Sequence, residues 1–205
     1  TPATPATPAT PATPPANDIV KEKKTDDGQG EKTKEAEPSK PPPPPVAKSD
    51  ADLFFTQLMG QRRIFLNGRV DDKSAHSLVG KMLFLDAVDP ETPIVLYVNS
   101  GGGVVTSGLA IYDVMQHVRP PVYTVCIGHA ESMAAVLLCA GEKGHRYVLP
   151  NARVMVHQPH HVISGQTTDI LIKATKAEHT RTTLRDIIAK HSGRSAGEVI
   201  GVLER

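Results

Sequence analysis

The sequence predicts an α/β domain built from βαβ units and preceded by a separate proline-rich segment. Short apolar runs alternate with longer segments of helical periodicity, which is the pattern of strands joined by crossover helices. The run at residues 94–98, Ile-Val-Leu-Tyr-Val, is apolar throughout, as is typical of parallel strands covered on both faces. Composition also changes sharply near residue 50, so the domain is expected to begin there.

Residues 1–50 are predicted to form a disordered proline-rich tail, and residues 51–205 the folded domain. The tail holds 12 of the 18 prolines and has neither an aromatic residue nor a leucine. Such a segment cannot bury enough apolar surface to offset the entropy lost on ordering. It is interpreted as a solvated spacer or the remnant of a presequence. The alternative is a ligand for an aromatic-lined groove, suggested by the five prolines at residues 41–45.

Charge and cysteine content exclude several classes of protein. Lys and Arg number 23 and Asp and Glu 22, so the net charge of +1 supports neither a nucleic-acid partner nor electrostatic binding to a membrane. No apolar stretch approaches the roughly 18 residues of a membrane span. The two cysteines, Cys126 and Cys139, lie outside any CxxC or Cys/His pattern, which argues against a disulfide scaffold and a structural zinc site.

The order of elements follows from periodicity and from breaker residues. Helices are expected at residues 53–59, 72–87, 104–118, 132–140 and 168–190, and a last helix after a capping box formed by Ser195 and Glu198. Strands are expected at residues 63–66, 94–98, 122–127, 147–148 and 153–157. The longest helix carries an apolar face made of Ile170, Ala174, Ala177, Leu184 and Ile188.

Three features at successive strand ends have the residue types of an acyl-transfer site. The glycines at 101–103 lead from a strand into a helix, where converging backbone amides bind an oxyanion or a phosphate. Neither GxGxxG nor a GK[ST] ending is present, and a plain tight turn is the alternative. Ser132 lies among small residues at a strand-to-helix turn, although GxSxG is not matched; alone, it would more often be an N-cap.

His157 ends the predicted strand at 153–157, where an imidazole is placed to act as a base; a satisfied structural histidine is the alternative. The neighbouring His160 and His161 lack a carboxylate or cysteine at ligand spacing, so surface histidines are expected rather than a metal site. Together the features predict that Ser132 attacks a carbonyl, His157 accepts its proton, and backbone amides stabilise the oxyanion.

From about residue 53 to residue 205 the sequence resembles the ClpP family, the proteolytic subunit of the ATP-dependent Clp protease. The resemblance is strongest at residues 94–103, 106–115, 128–140, 149–159 and 165–169. It implies a crotonase-like α/β spiral with a projecting handle helix at 168–190. It also implies that Ser132 is the nucleophile, His157 the base, and the amides of Gly102 and Met133 the oxyanion hole. No metal or cofactor is implied, because ATP is used by a partner unfoldase.

The resemblance further implies a homo- or hetero-oligomer of two stacked seven-membered rings. An AAA+ unfoldase would feed unfolded polypeptides into its chamber, where a serine endopeptidase cuts them into short peptides. The mitochondrial matrix is the expected compartment, with the plastid stroma or a bacterial-type cytoplasm as alternatives. Two other functions stay open: a non-catalytic structural subunit of a mixed Clp ring, and a crotonase-type acyl-CoA enzyme of the same fold.

The sequence departs from the family pattern at several positions. Gly101 replaces a proline in the glycine turn, and Glu131 places a carboxylate beside the nucleophile, where it would oppose a developing oxyanion. The residues after Pro159 differ from the family's glycines, and the tail replaces its axial loop. In the family the acid of the triad directly follows a Glu-Arg pair, here Glu204-Arg205, so we expect a fragment truncated at the C-terminus and nearly inactive alone.

Overall fold

The computed structural model describes residues 50–160 and 162–204 and shows the predicted α/β fold with a parallel sheet. The predicted tail at residues 1–50 lies, except for its last residue, outside the described residues. The helices are α1 (Asp50–Gly60), α2 (Asp72–Val88), α3 (Val105–His117), α4 (Met133–Cys139), α5 (Thr167–Ser192) and α6 (Ala196–Leu203). The strands are β1 (Arg63–Asn67), β2 (Ile94–Ser100), β3 (Val122–Glu131), β4 (Arg146–Val148) and β5 (Arg153–Met155). Each lies where the sequence predicted one.

All strand pairs in the described sheet are parallel, in the order β1-β2-β3-β4, and β5 also pairs with β3. Strand β4 pairs with the middle of β3, where Cys126 is opposite Val148, and β5 pairs with its end, where Glu131 is opposite Met155. Since β2 occupies the other edge of β3, the two short strands follow one another along one edge. The carboxyl ends of β2, β3 and β5 therefore meet at one end of the sheet.

Strand β3 continues four residues beyond its predicted end at residue 127, because Gly128 forms an irregularity instead of ending the strand. Its φ of +83° is readily adopted by glycine and is strained for other residues, and a Cβ at this position would lie 2.7 Å from Oδ1 of Asn99. The pairing with β2 shifts register at the same level, between Val98 and Ser100. The glycine that follows the predicted strand thus marks a bulge that carries the strand on to the candidate site.

The core lies on one face of the sheet, against α2 and α4, with α3 packed on those two helices. It includes Ile64, Leu66, Ile94, Leu96, Val98 and Leu137, all at most 1% exposed. The opposite face is only half-buried by the described residues; on it, Phe65 and Tyr97 stack at 5.1 Å. The expectation that both faces are covered therefore holds for one face of this chain.

Helix α5 packs on the domain through its carboxyl half, where Leu184 and Ile187 are buried. In its amino half Ile170, Leu171 and Ile172 are 39, 65 and 51% exposed, so the predicted apolar face is not covered along its whole length. The capping box of Ser195 and Glu198 begins α6 as predicted.

No helix in the described ranges is long and apolar enough to cross a membrane. Cys126 is buried and Cys139 partly buried, both as free thiols, and burial raises the pKa of each.

Candidate active site

The glycine turn is held against the segment that follows β1. The Val70 amide donates to the Gly102 carbonyl at 2.9 Å, and the Val104 amide donates to the Val70 carbonyl at 2.8 Å. Gly102 and Gly103 have φ angles of 82° and 153°. A Cβ on Gly103 would lie only 2.1 Å from the Val70 carbonyl oxygen. Both positions therefore require glycine, for the backbone angle and for the close approach.

Ser132 has φ 53° and ψ −123°, a backbone conformation that residues other than glycine rarely adopt. Such a conformation costs about 1–3 kcal/mol and persists only where the surrounding structure imposes it. Here the Ser132 amide donates to the Met155 carbonyl at 2.9 Å, and the Ser132 carbonyl accepts from Ala135 and Val136 as α4 begins. The sharp turn between β3 and α4 is therefore held from both sides.

The Ser132 side chain does not cap α4, although the residue occupies the N-cap position. Its hydroxyl has no hydrogen-bond partner among residues 50–160 and 162–204. The interpretation of this serine as a helix cap is therefore wrong for its side chain. A half-buried hydroxyl without a partner, on a strained strand-to-helix turn, has the local geometry of an exposed nucleophile.

The predicted oxyanion residues lie beside this serine. A Cβ on Gly102 would be 2.8 Å from Cβ of Ser132 and 2.9 Å from the backbone nitrogen of Met133. Met133 is the first residue of α4, so its amide has no acceptor within the helix. The Gly102 amide, in contrast, donates to Oγ of Ser100 at 3.1 Å. An oxyanion bound here would have to compete with that hydroxyl.

His157 lies two residues beyond the end of β5 and is exposed, whereas the sequence predicted it as the last residue of that strand. Strand β5 is short because its own side chains are exposed and it pairs with β3 over three residues only. The pairing of Glu131 with Met155 still brings the turn at Ser132 and the segment at His157 to the same end of the sheet. The imidazole forms no hydrogen bond within the described ranges. The structure therefore places the two segments at the same end of the sheet but shows no hydrogen bond between Ser132 and His157.

The residue after His157 contacts the end of α6. The Gln158 amide donates to the Leu203 carbonyl at 3.2 Å. The carboxyl end of the described chain therefore lies beside the segment that carries His157. Asp169 and Asp186, both on α5, form no hydrogen bond or ion pair with the described part of that segment; Asp186 pairs with Arg185 at 2.7 Å and is exposed.

Two residues of the site were not found in the sequence, although one of them could have been. Ser100 is a fully buried polar residue just before the glycine turn, and its hydroxyl accepts from the amide two residues on, which is a common local pattern for serine. Met155 acts through its carbonyl, so no side-chain pattern could have marked it. Within residues 50–160 and 162–204 no group of three or more His, Cys, Asp or Glu residues is placed to hold a metal ion.

The parallel sheet brings a strained serine, a glycine turn and the segment that carries a histidine to one of its ends. A protein with this arrangement has the parts of an acyl-transfer site. The family model described as Clp protease matches residues 47–205. The match covers most of the chain, which therefore belongs to the Clp protease family. Membership in this family implies the peptidase activity of a Clp proteolytic subunit, which is a hydrolase function. Proteins of this family generally form oligomeric rings with unfoldases.

Proposed function

We propose that this protein is a serine endopeptidase subunit of an ATP-dependent Clp protease, with Ser132 as nucleophile and His157 as base. One observation carries the proposal: Ser132 is held in a costly backbone conformation while its hydroxyl has no hydrogen-bond partner in the part of the chain that the structure describes. The surrounding structure imposes this backbone strain, although the Ser132 side chain makes no structural hydrogen bond in the described chain. Strain of this kind is typical of functional residues.

The steps follow from the residues present. Oγ of Ser132 attacks the peptide carbonyl carbon as His157 accepts the hydroxyl proton. The Met133 amide, and the Gly102 amide once released from Ser100, donate to the oxyanion. Collapse of the tetrahedral intermediate breaks the C–N bond, and His157 passes its proton to the departing amine. Water then hydrolyses the acyl-enzyme with His157 again as the base.

The exposed apolar residues in the amino half of α5 support assembly. Ile170, Leu171 and Ile172 are exposed in the single chain, and a second ring is the partner that we propose for them. We further propose that unfolded polypeptides are the substrates, that an AAA+ unfoldase delivers them and consumes the ATP, and that the chain needs no cofactor of its own. The mitochondrial matrix is the proposed compartment.

Covalent labelling tests the nucleophile. The assembled, full-length protein is treated with a fluorophosphonate, and the modified peptide is identified by mass spectrometry. We expect labelling at Ser132 and its loss in Ser132→Ala, with hydrolysis of a fluorogenic peptide falling about 10³-fold or more. Ser107→Ala, at a buried serine on α3, is the matched control and should keep the label. Labelling of another serine, or none in an assembled ring, would reject the proposal.

A non-catalytic ring subunit is the second candidate, and one observation favours it: the Gly102 amide is already engaged by Ser100. In that case the assembled protein would form rings but would neither react with the probe nor hydrolyse peptides. Removing the competing hydroxyl in Ser100→Ala separates the two functions. Ser100→Ala should increase fluorophosphonate labelling if the oxyanion hole is only blocked by the Ser100 hydroxyl. The same substitution should leave labelling unchanged if the subunit is structural.

A further inference from the structure

Gly101 meets two residues of β3, His129 and Glu131, beside the candidate nucleophile. A Cβ built on Gly101 would lie 3.8 Å from Oε2 of Glu131 and 3.9 Å from Nε2 of His129. Gly101 itself is exposed and has no side chain. A methyl group at this position would be in van der Waals contact with both side chains, so a carboxylate and an imidazole flank a gap of about that size above Gly101, which we call the Gly101 slot.

The slot adjoins the reaction centre on both sides. Glu131 is the last residue of β3 and directly precedes Ser132, and Gly101 follows the end of β2 and directly precedes Gly102, whose backbone packs against Ser132. A peptide bond held at the Ser132 hydroxyl would therefore have neighbouring side chains within reach of the slot. Because a carboxylate forms one wall of the slot, a group that binds there must be a cation or a hydrogen-bond donor.

The Glu131 carboxylate is available to such a ligand. It takes part in no ion pair or hydrogen bond among the described residues, and its side chain is half-buried. Arg153 is opposite His129 on β5 and so lies on the same face of the sheet, yet it forms no ion pair with Glu131. The site thus holds a carboxylate that has no partner within residues 50–160 and 162–204, one residue from the proposed nucleophile.

We propose that Glu131 determines substrate specificity by pairing with a Lys or Arg side chain close to the scissile bond, with His129 as the other wall of the slot. This proposal rests on the serine endopeptidase function proposed above. A charge-assisted hydrogen bond to the carboxylate favours basic substrates. The same carboxylate opposes the oxyanion when no cation is bound, so it slows the cleavage of neutral and acidic substrates.

The test uses internally quenched peptides that are identical except at one position. Each position within three residues of the scissile bond carries Lys, norleucine or Glu in turn, and kcat/KM is measured with the assembled, full-length protein. In Glu131→Gln we expect kcat/KM for the best Lys peptide to fall by about two- to fivefold, the range of a partly exposed ion pair, and that for the Glu peptide to rise. The Lys preference of the wild type should also weaken with added salt.

Glu91→Gln is the matched control, because Glu91 is exposed in the turn before β2, at the opposite end of the sheet. It should leave the preference for Lys unchanged. An equal Lys-to-Glu ratio in wild type and Glu131→Gln would overturn the specificity proposal while peptide cleavage continues. Absence of cleavage of every peptide, together with absence of fluorophosphonate labelling, would instead reject the endopeptidase function itself.

Discussion

Two non-glycine residues in the described ranges have a positive φ, and they lie at opposite ends of the sheet. Arg62, with φ 60°, precedes β1 and is 9% exposed. Its guanidinium donates to the carbonyls of Leu85, Asp89 and Pro93 at 3.0, 2.9 and 3.3 Å. Ser132, with φ 53°, follows β3 and its hydroxyl donates to nothing in the described chain. The strain at Arg62 accompanies three hydrogen bonds that support the structure, whereas that at Ser132 accompanies a hydroxyl with no such bond in the described chain.

The carboxyl end of the sheet should respond most strongly to a single added methyl group. In Gly102→Ala the new Cβ would lie 2.6 Å from the Glu131 carbonyl oxygen and 2.8 Å from Cβ of Ser132, at a φ of 82°. The turn must move away from Ser132, so we expect peptide hydrolysis to fall by about 10²-fold or more, as for the loss of an oxyanion donor.

The control for this change is Gly80→Ala on α2, where an added Cβ meets nothing within 4 Å. It should keep full activity and stabilise the helix by about 0.5–1 kcal/mol. Unchanged hydrolysis in a folded, assembled Gly102→Ala protein would show that the turn takes no part in the site.

Glycine substitutions at the two strained positions should have opposite effects on stability. Ser132→Gly removes a backbone penalty and no side-chain bond, so the free energy of unfolding should rise by about 1 kcal/mol. Arg62→Gly relieves similar strain but leaves three carbonyls without their donor, so it should fall by about 2 kcal/mol. Denaturant unfolding measures both, and a fall in both variants would remove the contrast drawn above.

The smallest effect concerns the pH dependence of the Arg62 end. The Thr92 side chain, with the Glu91 and Thr92 amides, lowers the pKa of Asp89 from 3.8 to about 2. Because the folded state binds this proton less readily, the stabilisation is present above pH 4 and is lost as the pH falls toward 2. Wild type should therefore lose more thermal stability between pH 5 and pH 2 than Asp89→Asn. Equal losses in the two proteins would contradict the prediction.

The elements were predictable because periodicity and breaker residues act locally. The run at residues 94–98 and the capping box of Ser195 and Glu198 determined β2 and the start of α6 without reference to the rest of the chain. The end of β3 was predicted four residues too early, because a glycine that ends a strand and one that makes a bulge, as Gly128 does, look alike in sequence. Their difference depends on the neighbouring strand, here on Asn99.

The candidate site was predictable in its residue types and less so in its geometry. Ser132, Gly102 and Met133 lie close together in the structure, because parallel strands bring their carboxyl ends to one end of the sheet. The bond from the Gly102 amide to Ser100 and the position of Glu131 over Gly101 depend on side-chain and backbone packing, which the sequence pattern does not contain. The catalytic roles of Ser132 and His157 stay predictions until labelling tests them.

The carbonyl of Met155 gives strand β5 a double role. It accepts the Ser132 amide, and the same strand leads within two residues to His157. Since β5 has three residues and is held by β3 through short pairing, a displacement of this segment would move His157 and remove the acceptor of the Ser132 amide at the same time. The backbone of Ser132 and the position of His157 thus depend on one three-residue support.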